Sequence, residues 1–413
     1  MRMDENLLGE YLKVLRKESE VSAKELSSGL CSAKQLYAAE GEKRTLEKLT
    51  MDVILERLGI GAEDYEHFLD APDYARWEDR QHILHAITFE EFESAGERLN
   101  EYYAAYCSEI PADAGSATVE EKLELQFYLC MRTLLKSCTG CGREELRKGY
   151  LQALELTVPD LEQRPLAGRM LSLKELNLIL EAERHRADEG RTERYEEIVS
   201  YIETSRFDKI GRAKIYPKAV YFLCRKAVSG KAAPHKAERQ NAALDHRTVE
   251  KDIDSRQNAD GNFTEACLLQ YCRKAYESLR NGGRMCFLWE ILSMREFLLE
   301  SLIGQWSDDG NVQKGGRLRP MLEENRKFRL ILERLYQEFG VRRETFEFCY
   351  LYVMKETYCV NDMIRIRRRM LGVKAETLCR GICTVRTLRN IENKKTTPQR
   401  AVADELLKRL GLP

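Results

Sequence analysis

Polar side chains of the types that bind nucleic acids are concentrated close to the end of this sequence. Arg386, Arg389 and Asn390 follow one another at helical spacing. An arginine guanidinium can donate two hydrogen bonds to a guanine edge, and an asparagine amide can make two with adenine. The candidate contacts are Thr384, Val385, Arg386, Arg389, Asn390, Lys394, Lys395 and, in the preceding segment, Arg368.

The two ends of the chain differ in charge, although the whole chain has a net charge of only −1. Residues 361–413 carry 13 Lys and Arg against 5 Asp and Glu, a balance of +8, whereas residues 1–70 carry 10 against 15, a balance of −5. A dense positive charge favours a polyanion, because each neutralised phosphate releases counterions. A solvated helix face is the alternative explanation for the basic run at residues 365–369.

The elements that must position these side chains are two short helices and a turn. The pattern predicts a helix over Val373–Arg380, a turn at Gly381–Cys383 and a second helix over Thr384–Ile391. Leu378 and Leu388 are spaced to hold the two helices together. A helix-turn-helix reader needs this arrangement, with the second helix entering the major groove.

The first part of the chain repeats this pattern at a constant offset of 352 residues. Residues 12–60 align with residues 364–412 without a gap, so the sequence predicts the same small fold at each end. Short helices are predicted at Leu7–Lys17, Ser22–Ser28, Ser32–Ala39 and Leu46–Leu58. Identical pairs include Arg16/Arg368, Leu26/Leu378, Gly29/Gly381, Leu36/Leu388, Glu40/Glu392, Arg57/Arg409 and Gly59/Gly411.

The N-terminal copy has its own candidate base contacts, but its surroundings are acidic. Glu42 stands where the C-terminal copy has Lys394, and Tyr37 stands where it has Arg389. These changes weaken the attraction to phosphates, so the pattern favours the C-terminal copy as the DNA reader. The N-terminal candidates are Ser32, Ala33, Lys34 and Gln35.

The C-terminal segment MLGVKAETLCRGICTVRTLRNIENKKTTPQRAVADELLKRLGL resembles the XRE (Cro/CI-type) helix-turn-helix family over its whole length. The shared features are Leu371-Gly372 after a basic helix, the Arg386–Leu388 and Ile391–Lys394 segments, and Thr397-Pro398 before a last amphipathic helix. The resemblance implies that Thr384, Val385 and Arg386, which open the third helix, face DNA. Half-site readers usually pair, so a homodimer is expected.

Between the two ends the periodicity is helical, without a convincing run of strand-like alternation. Paired helices of this length suggest an α-solenoid of the tetratricopeptide kind, although no strict repeat period is present. A compact helical bundle is the alternative. The predicted helices are Tyr74–Ala86, Phe89–Tyr106, Val119–Lys136, Arg143–Leu156, Leu173–Arg186, Thr192–Thr204, Lys209–Val228, Phe263–Leu279, Arg284–Leu302, Leu318–Phe339 and Arg343–Tyr358.

The order of a helix-turn-helix unit and a long helical body resembles the RRNPP (Rgg/PlcR-type) peptide-responsive transcriptional regulators. That resemblance implies a body that binds a short signalling peptide and dimerises, with asparagine side chains holding the peptide backbone. Asn177, Asn281 and Asn325 lie on predicted helices or at their ends, and no peptide-binding role is assigned to any of them. We therefore predict an all-α regulator with terminal helix-turn-helix domains at residues 1–69 and 360–413, flanking a TPR-like α-solenoid at 70–359.

Composition restricts the other classes of function. The 413 residues include 13 scattered cysteines, which are typical of a reducing compartment, and the apolar runs are too short to span a bilayer. We expect a cytoplasmic protein without a cofactor.

Cys138–Cys141 is the only CxxC and reads as a turn, while His82 and His85 read as packing or surface residues. No catalytic motif is present in the sequence. The alternative to a DNA-binding regulator is a TPR-like protein-interaction scaffold whose terminal units serve docking or dimerisation.

Overall fold

The computed structural model describes residues 5–60, 71–111, 117–186, 192–228, 264–308, 312–339 and 361–411, apart from residues 42, 44, 45, 47, 162, 362, 363, 366, 369, 370, 394 and 397. Within these residues the protein is all-α. The helices are α1 (Glu5–Glu18), α2 (Ala23–Leu26), α3 (Ala33–Glu40), α4 (Lys48–Arg57), α5 (Ala71–Thr88), α6 (Phe92–Tyr106), α7 (Val119–Cys138), α8 (Arg143–Glu155), α9 (Leu173–Arg184), α10 (Glu193–Thr204), α11 (Lys209–Ala227), α12 (Glu265–Gly282), α13 (Leu288–Asp308), α14 (Val312–Phe339), α15 (Ala375–Cys379), α16 (Val385–Glu392) and α17 (Arg400–Arg409).

Several of these helices begin where the sequence places a side chain that can cap them. Ser22, Ser32, Thr118 and Ser172 each accept a hydrogen bond from a backbone N–H of the first turn, and a Glu or Gln three residues later bonds back. This capping box satisfies backbone donors that the helix itself leaves unpaired. The predicted starts at these positions therefore agree with the structure to within a residue.

The helices from α5 to α14, which we call the body, pack mainly on their neighbours in sequence. α5 packs on α6, α6 on α7, α7 on α8 and α8 on α9. The series continues from α10 through α11, α12 and α13 to α14. Successive packing of paired helices is the arrangement of an α-solenoid. Their buried side chains form one continuous core from Ile83 to Leu322.

Two smaller cores belong to the ends of the chain. We call residues 5–60, with α1–α4, the N-terminal unit, and residues 361–411, with α15–α17, the C-terminal unit. The N-terminal core is built around Leu12, Leu26 and Leu36, and Leu123 of the body joins it. The core of the C-terminal unit has Leu378 and Leu388 at its centre. Each unit therefore buries its own apolar side chains.

The structure differs from the sequence-based expectation in the connection between α13 and α14. The predicted helices Arg284–Leu302 and Leu318–Phe339 leave residues 303–317 between them, but α13 continues to Asp308 and α14 already begins at Val312 and includes Gly315 and Gly316. Helical propensity on both sides outweighs the cost of the glycines, about 1 kcal/mol each. Gly282-Gly283 does form a turn, with Gly283 in the left-handed region at φ 60°. The predicted helix Arg343–Tyr358 and the polar stretch 229–262 lie outside the described residues.

A buried ion pair lies in the middle of the body. The ammonium group of Lys218 on α11 donates to the carboxylate of Glu181 and, at 2.5 Å, to Oδ1 of Asn177. Burial opposes ionisation of Glu181, but Lys218 and then Arg184 outweigh it and hold the pKa of Glu181 below its ordinary value. Asn177 is thus part of the core, and so is Asn325, which donates to the carbonyl of Leu292 at 2.6 Å.

Replacing Lys218 by Met should reverse how stability depends on pH near the titration of Glu181. In the wild type the lowered pKa means that stability from this pair is lost as pH falls through the carboxyl titration. Without Lys218, the remaining partner Arg184, 3.4 Å from Glu181 and 32% exposed, offsets burial less. Burial then dominates and raises the pKa, so that acid stabilises the variant relative to neutral pH. The cost at neutral pH should be about 3–5 kcal/mol, because a buried charge loses its partner. Urea unfolding at pH 4 and pH 7 measures both effects; parallel pH profiles of the two proteins would contradict this assignment.

Among the described residues, every helix is either too short or too polar to cross a membrane.

Candidate nucleic-acid interface

The C-terminal unit places α15 and α16 on either side of a tight turn. Gly381 lies in this turn at φ 75°, a conformation that glycine adopts without strain. Thr384 then caps α16, accepting a hydrogen bond from the backbone N–H of Thr387 at 3.1 Å. Leu388 and Ile391 point into the core of the unit and are almost fully buried. Their burial fixes the orientation of α16, so its opposite face is exposed to solvent.

That outer face carries three of the residues predicted to bind DNA. Thr384, Arg386 and Arg389 are exposed, as is Lys395 after the helix. Val385 and Asn390 are half-buried; Val385 packs against the core. The structure thus leaves two guanidinium groups, one hydroxyl and one ammonium group exposed on α16 or directly after it. Lys394 lies outside the described residues.

Arg368, also predicted to bind DNA, instead holds the C-terminal unit together. Its guanidinium pairs with the carboxylate of Glu392, with Nη2 donating to Oε2 at 2.8 Å, and Nη1 donates to the carbonyl of Val373 at 3.1 Å. A guanidinium with both a carboxylate and a carbonyl partner inside its own unit is not available for a phosphate. Arg368 is therefore not part of the exposed face of α16.

The N-terminal unit has the same contacts at the equivalent positions. Nη2 of Arg16 donates to Oε2 of Glu40 at 2.7 Å, and Nη1 donates to the carbonyl of Val21 at 3.0 Å. Equivalent residues therefore make equivalent contacts in the two units, 352 residues apart. The sequence carried this signal in the identical pairs Arg16/Arg368 and Glu40/Glu392, but the pairing partner of each arginine was not recognised from it.

The outer face of α3, which corresponds to α16, is much less basic. Ser32 and Lys34 are exposed, while Ala33 and Gln35 are half-buried. Gln35 is engaged in the capping box, where Oε1 accepts from the backbone N–H of Ser32 at 2.9 Å. Tyr37 takes the place of Arg389 and is 56% exposed. Only one cation, Lys34, is therefore presented on this face of the helix.

The N-terminal unit is firmly docked on the body, which the sequence did not predict. Arg57 at the end of α4 forms a buried ion pair with Glu175 on α9, each side chain being 1% exposed. At the other end of α4, the carboxylate of Glu120 on α7 accepts from the backbone N–H groups of Leu49 and Thr50, both at 3.2 Å. Both contacts join residues that are far apart in sequence, so local patterns carry no signal for them.

Two glycines show how closely the N-terminal unit approaches the body. A Cβ added at Gly29 would lie 1.9 Å from the carbonyl oxygen of Thr157, and one at Gly59 would lie 2.1 Å from that of Arg206. At the equivalent positions of the C-terminal unit, and counting the described residues alone, a Cβ at Gly381 would meet nothing within 4 Å, and one at Gly411 only Arg367 at 3.9 Å. The same surface is thus covered in one unit and open in the other.

Alanine at Gly59 should therefore destabilise the protein more than alanine at Gly411. Both glycines have positive φ, 87° and 75°, so both substitutions carry a backbone strain of about 1–2 kcal/mol. Only Gly59→Ala also forces the body away from the N-terminal unit. Urea unfolding of the two variants checks the difference, with Gly411→Ala as the matched control. Equal losses would show that the close approach at Gly59 adds nothing.

A groove in the body combines basic and apolar groups. It is a cavity of about 510 Å³ between α8, α9 and α10. Its charged lining is Arg147, Arg164, Arg186, Arg194, Glu183 and Glu197, with Leu151, Ile179 and Pro165 beside them. All four arginines pair with neighbouring carboxylates: Arg164 with Asp160, Arg194 with Glu197, Arg186 with Glu183 and Arg147 with Glu144. The lining therefore offers both charges together with apolar contact.

The other residues considered in the sequence do not form a site among the described residues. His82 and His85 are exposed on α5, and the described part of the chain contains no group of His, Cys, Asp or Glu that would hold a metal ion. Cys138 ends α7, and Gly140 in the following turn has φ 94°. Asn281 is exposed near the end of α12.

Comparison of the sequence with protein families and with curated proteins gives no match. Among solved structures, Bacillus thuringiensis PlcR in complex with the peptide PapR7 and DNA matches with 14% sequence identity and a TM-score of 0.32. The match covers 79% of this chain and 98% of that chain.

Proposed function

We propose that this protein is a sequence-specific DNA-binding transcriptional regulator whose C-terminal unit reads the major groove through α16. The observation that carries the proposal is the exposed face of that helix. Thr384, Arg386 and Arg389 lie together on it, at the start of a helix that follows a tight turn. The C-terminal segment has a balance of +8, which favours phosphate contacts around the reading helix.

In this proposal the chain has three domains, with boundaries near residues 69 and 360. Both terminal units are helix-turn-helix domains of the XRE kind, and the intervening body is a TPR-like sensor. Lys395 contributes to phosphate binding beside α16. Ser32, Ala33, Lys34 and Gln35 form at most a weaker DNA surface on the N-terminal unit, because the face carries one cation where α16 carries two.

The body is proposed to bind a short signalling peptide, and the arginine-lined groove between α8 and α10 is the best candidate site. A peptide carries a terminal carboxylate, a backbone rich in donors and acceptors, and apolar side chains. The groove offers guanidinium groups for the carboxylate and apolar side chains such as Leu151 and Ile179.

Fluorescence anisotropy of the full chain with a labelled duplex tests the DNA proposal. The duplex is taken from the region upstream of the chain's own coding sequence, and a scrambled duplex of equal composition is the control. Binding measured at 50 mM and 200 mM salt should weaken steeply, since counterion release governs phosphate contacts. Failure to bind either duplex at the lower salt concentration would exclude DNA as the partner of the C-terminal unit.

The rival function is a protein-interaction scaffold, and one observation favours it for the N-terminal unit. That unit is acidic and docked on the body through the ion pair Arg57–Glu175. A unit that serves only to cover the end of a solenoid would show these properties. Deleting the exposed cation with Lys34→Ala separates the two roles, because only a DNA-reading unit would lose affinity for the duplex.

A further inference from the structure

The two terminal units hold one arginine in the same way. In the N-terminal unit, Nη1 of Arg57 donates to the carbonyls of Leu26 at 3.0 Å and Ser28 at 2.7 Å. In the C-terminal unit, Nη1 of Arg409 donates to the carbonyl of Leu378 at 3.0 Å and to that of Arg380. The carbonyls are at equivalent positions, so both guanidinium groups are anchored on the same side of the same fold.

The N-terminal unit shows what this anchored guanidinium binds. Nε and Nη2 of Arg57 donate to the carboxylate of Glu175 at 3.2 and 2.6 Å. Glu175 also belongs to the capping box of α9, where its Oε2 accepts from the backbone N–H of Ser172 at 2.8 Å. The group recognised is therefore the N-terminus of a helix that carries a Ser-x-x-Glu sequence. We call this side of each unit, marked by Arg57 or Arg409, its clasp face.

In the C-terminal unit the clasp face is open. Arg409 is exposed, and its Nε and Nη2 have no acceptor among the described residues. Gly381 and Gly411, equivalent to the two glycines that touch the body, have free space around them. The body's own Ser172–Glu175 terminus is already filled by Arg57. Among the described residues, the clasp face of the C-terminal unit thus has no carboxylate opposite Arg409.

A second helix terminus of the same type is exposed on the N-terminal unit itself. Ser22 and Glu25 form a capping box at the start of α2, with the backbone N–H of Ser22 donating to Oε2 of Glu25 at 2.9 Å. Both residues are exposed. The hydrogen bonds from Ser22 lower the pKa of Glu25, so its carboxylate is ionised at neutral pH. The N-terminal segment carries −5 against +8 for the C-terminal one, so the two surfaces are complementary in charge.

We propose that the clasp face of the C-terminal unit binds the Ser22–Glu25 helix terminus of a second copy of this chain. Each copy contributes the open clasp face of its C-terminal unit and its Ser22–Glu25 terminus, so two copies can exchange both contacts and close into a symmetric dimer. The contact leaves the reading face of α16 free. The N-terminal unit demonstrates this compatibility, because Ser32 and Lys34 remain exposed on α3 while Arg57 is buried.

Sedimentation equilibrium of the full chain over a range of concentrations tests the proposal. The wild type should dimerise, and Glu25→Lys should weaken the dimer by about tenfold or more, because each of two contacts acquires a like charge opposite Arg409. Arg409→Glu should have the same effect, and combining the two substitutions should restore association. Arg389→Ala, which removes a cation from the exposed face of α16, is the matched control and should leave the dimer unchanged.

Glu25→Lys distinguishes loss of the contact from loss of folding. Arg409 also anchors two backbone carbonyls, whereas Glu25 is exposed on the other unit, so Glu25→Lys reports on the contact without disturbing the C-terminal core. A monomeric wild type would overturn the proposal, and so would a dimer indifferent to Glu25→Lys. Sensitivity to Glu121→Lys instead would overturn the assigned terminus, since Thr118–Glu121 forms a comparable capping box on α7. None of these outcomes depends on DNA binding.

Discussion

Removing both guanidinium groups from α16, in the variant Arg386→Ala plus Arg389→Ala, should abolish most specific DNA binding. Each bidentate contact to a base is worth about 1–3 kcal/mol, so the pair should cost about 2–6 kcal/mol, a loss of roughly thirtyfold or more. Both side chains are exposed, and neither contributes to the core, so the fold should be retained. Anisotropy with the upstream duplex measures the loss directly.

The salt dependence of this variant distinguishes base contacts from phosphate contacts. If an arginine binds a phosphate, the slope of log K against log salt should decrease in magnitude by about 0.9. If both bind bases, affinity for the specific duplex should fall while the salt slope stays the same. Lys408→Ala, an exposed cation on α17, is the control for the removal of charge alone. Unchanged affinity and slope in the double variant would exclude α16 as the reading helix.

Breaking the ion pair between the N-terminal unit and the body should cause a large loss of stability. Arg57→Met should cost about 3–5 kcal/mol, because Glu175 would remain as a buried charge without its partner. The side chains are 1% exposed, so water cannot replace the lost hydrogen bonds. Urea unfolding measures the loss.

The double variant Arg57→Met plus Glu175→Met isolates the penalty of the unpaired charge. It should be more stable than Arg57→Met, since two apolar side chains replace the pair and leave no charge behind. Arg409→Met in the C-terminal unit is a second comparison, because it loses the equivalent hydrogen bonds to backbone carbonyls but leaves no buried carboxylate. A loss in Arg409→Met as large as that in Arg57→Met would place the energy in those carbonyl contacts instead.

The local features of this fold could be predicted from the sequence with good accuracy. The helix expected at Val119–Lys136 is found at Val119–Cys138, and that expected at Arg143–Leu156 ends one residue earlier. Capping residues such as Thr118 and apolar side chains at helical spacing determine these ends locally. The exposed face of α16 was predictable for the same reason, since the buried Leu388 and Ile391 fix which side chains point outward.

The contacts between distant segments could not be predicted in this way. Arg57 and Glu175 are 118 residues apart, and Arg57 gave no sign of its partner in the sequence. Arg368 was expected to bind DNA because it lies in a basic run, but its pairing with Glu392 depends on how two helices fold together. The internal repeat held the missing information: both copies keep an arginine and a glutamate at these positions, as a structural pair would require.

The carboxylate of Glu120 makes the two terminal units non-interchangeable. It accepts from the hydroxyl of Thr50 at 3.1 Å as well as from two backbone N–H groups of α4. The residue equivalent to Thr50 in the C-terminal unit is Val402, which has no hydroxyl to donate. A chimaera with its last unit transplanted to the front would bury a methyl group against this carboxylate. The two copies of the fold thus differ in what they contact: the first is attached to the body, and the second has an open surface among the described residues.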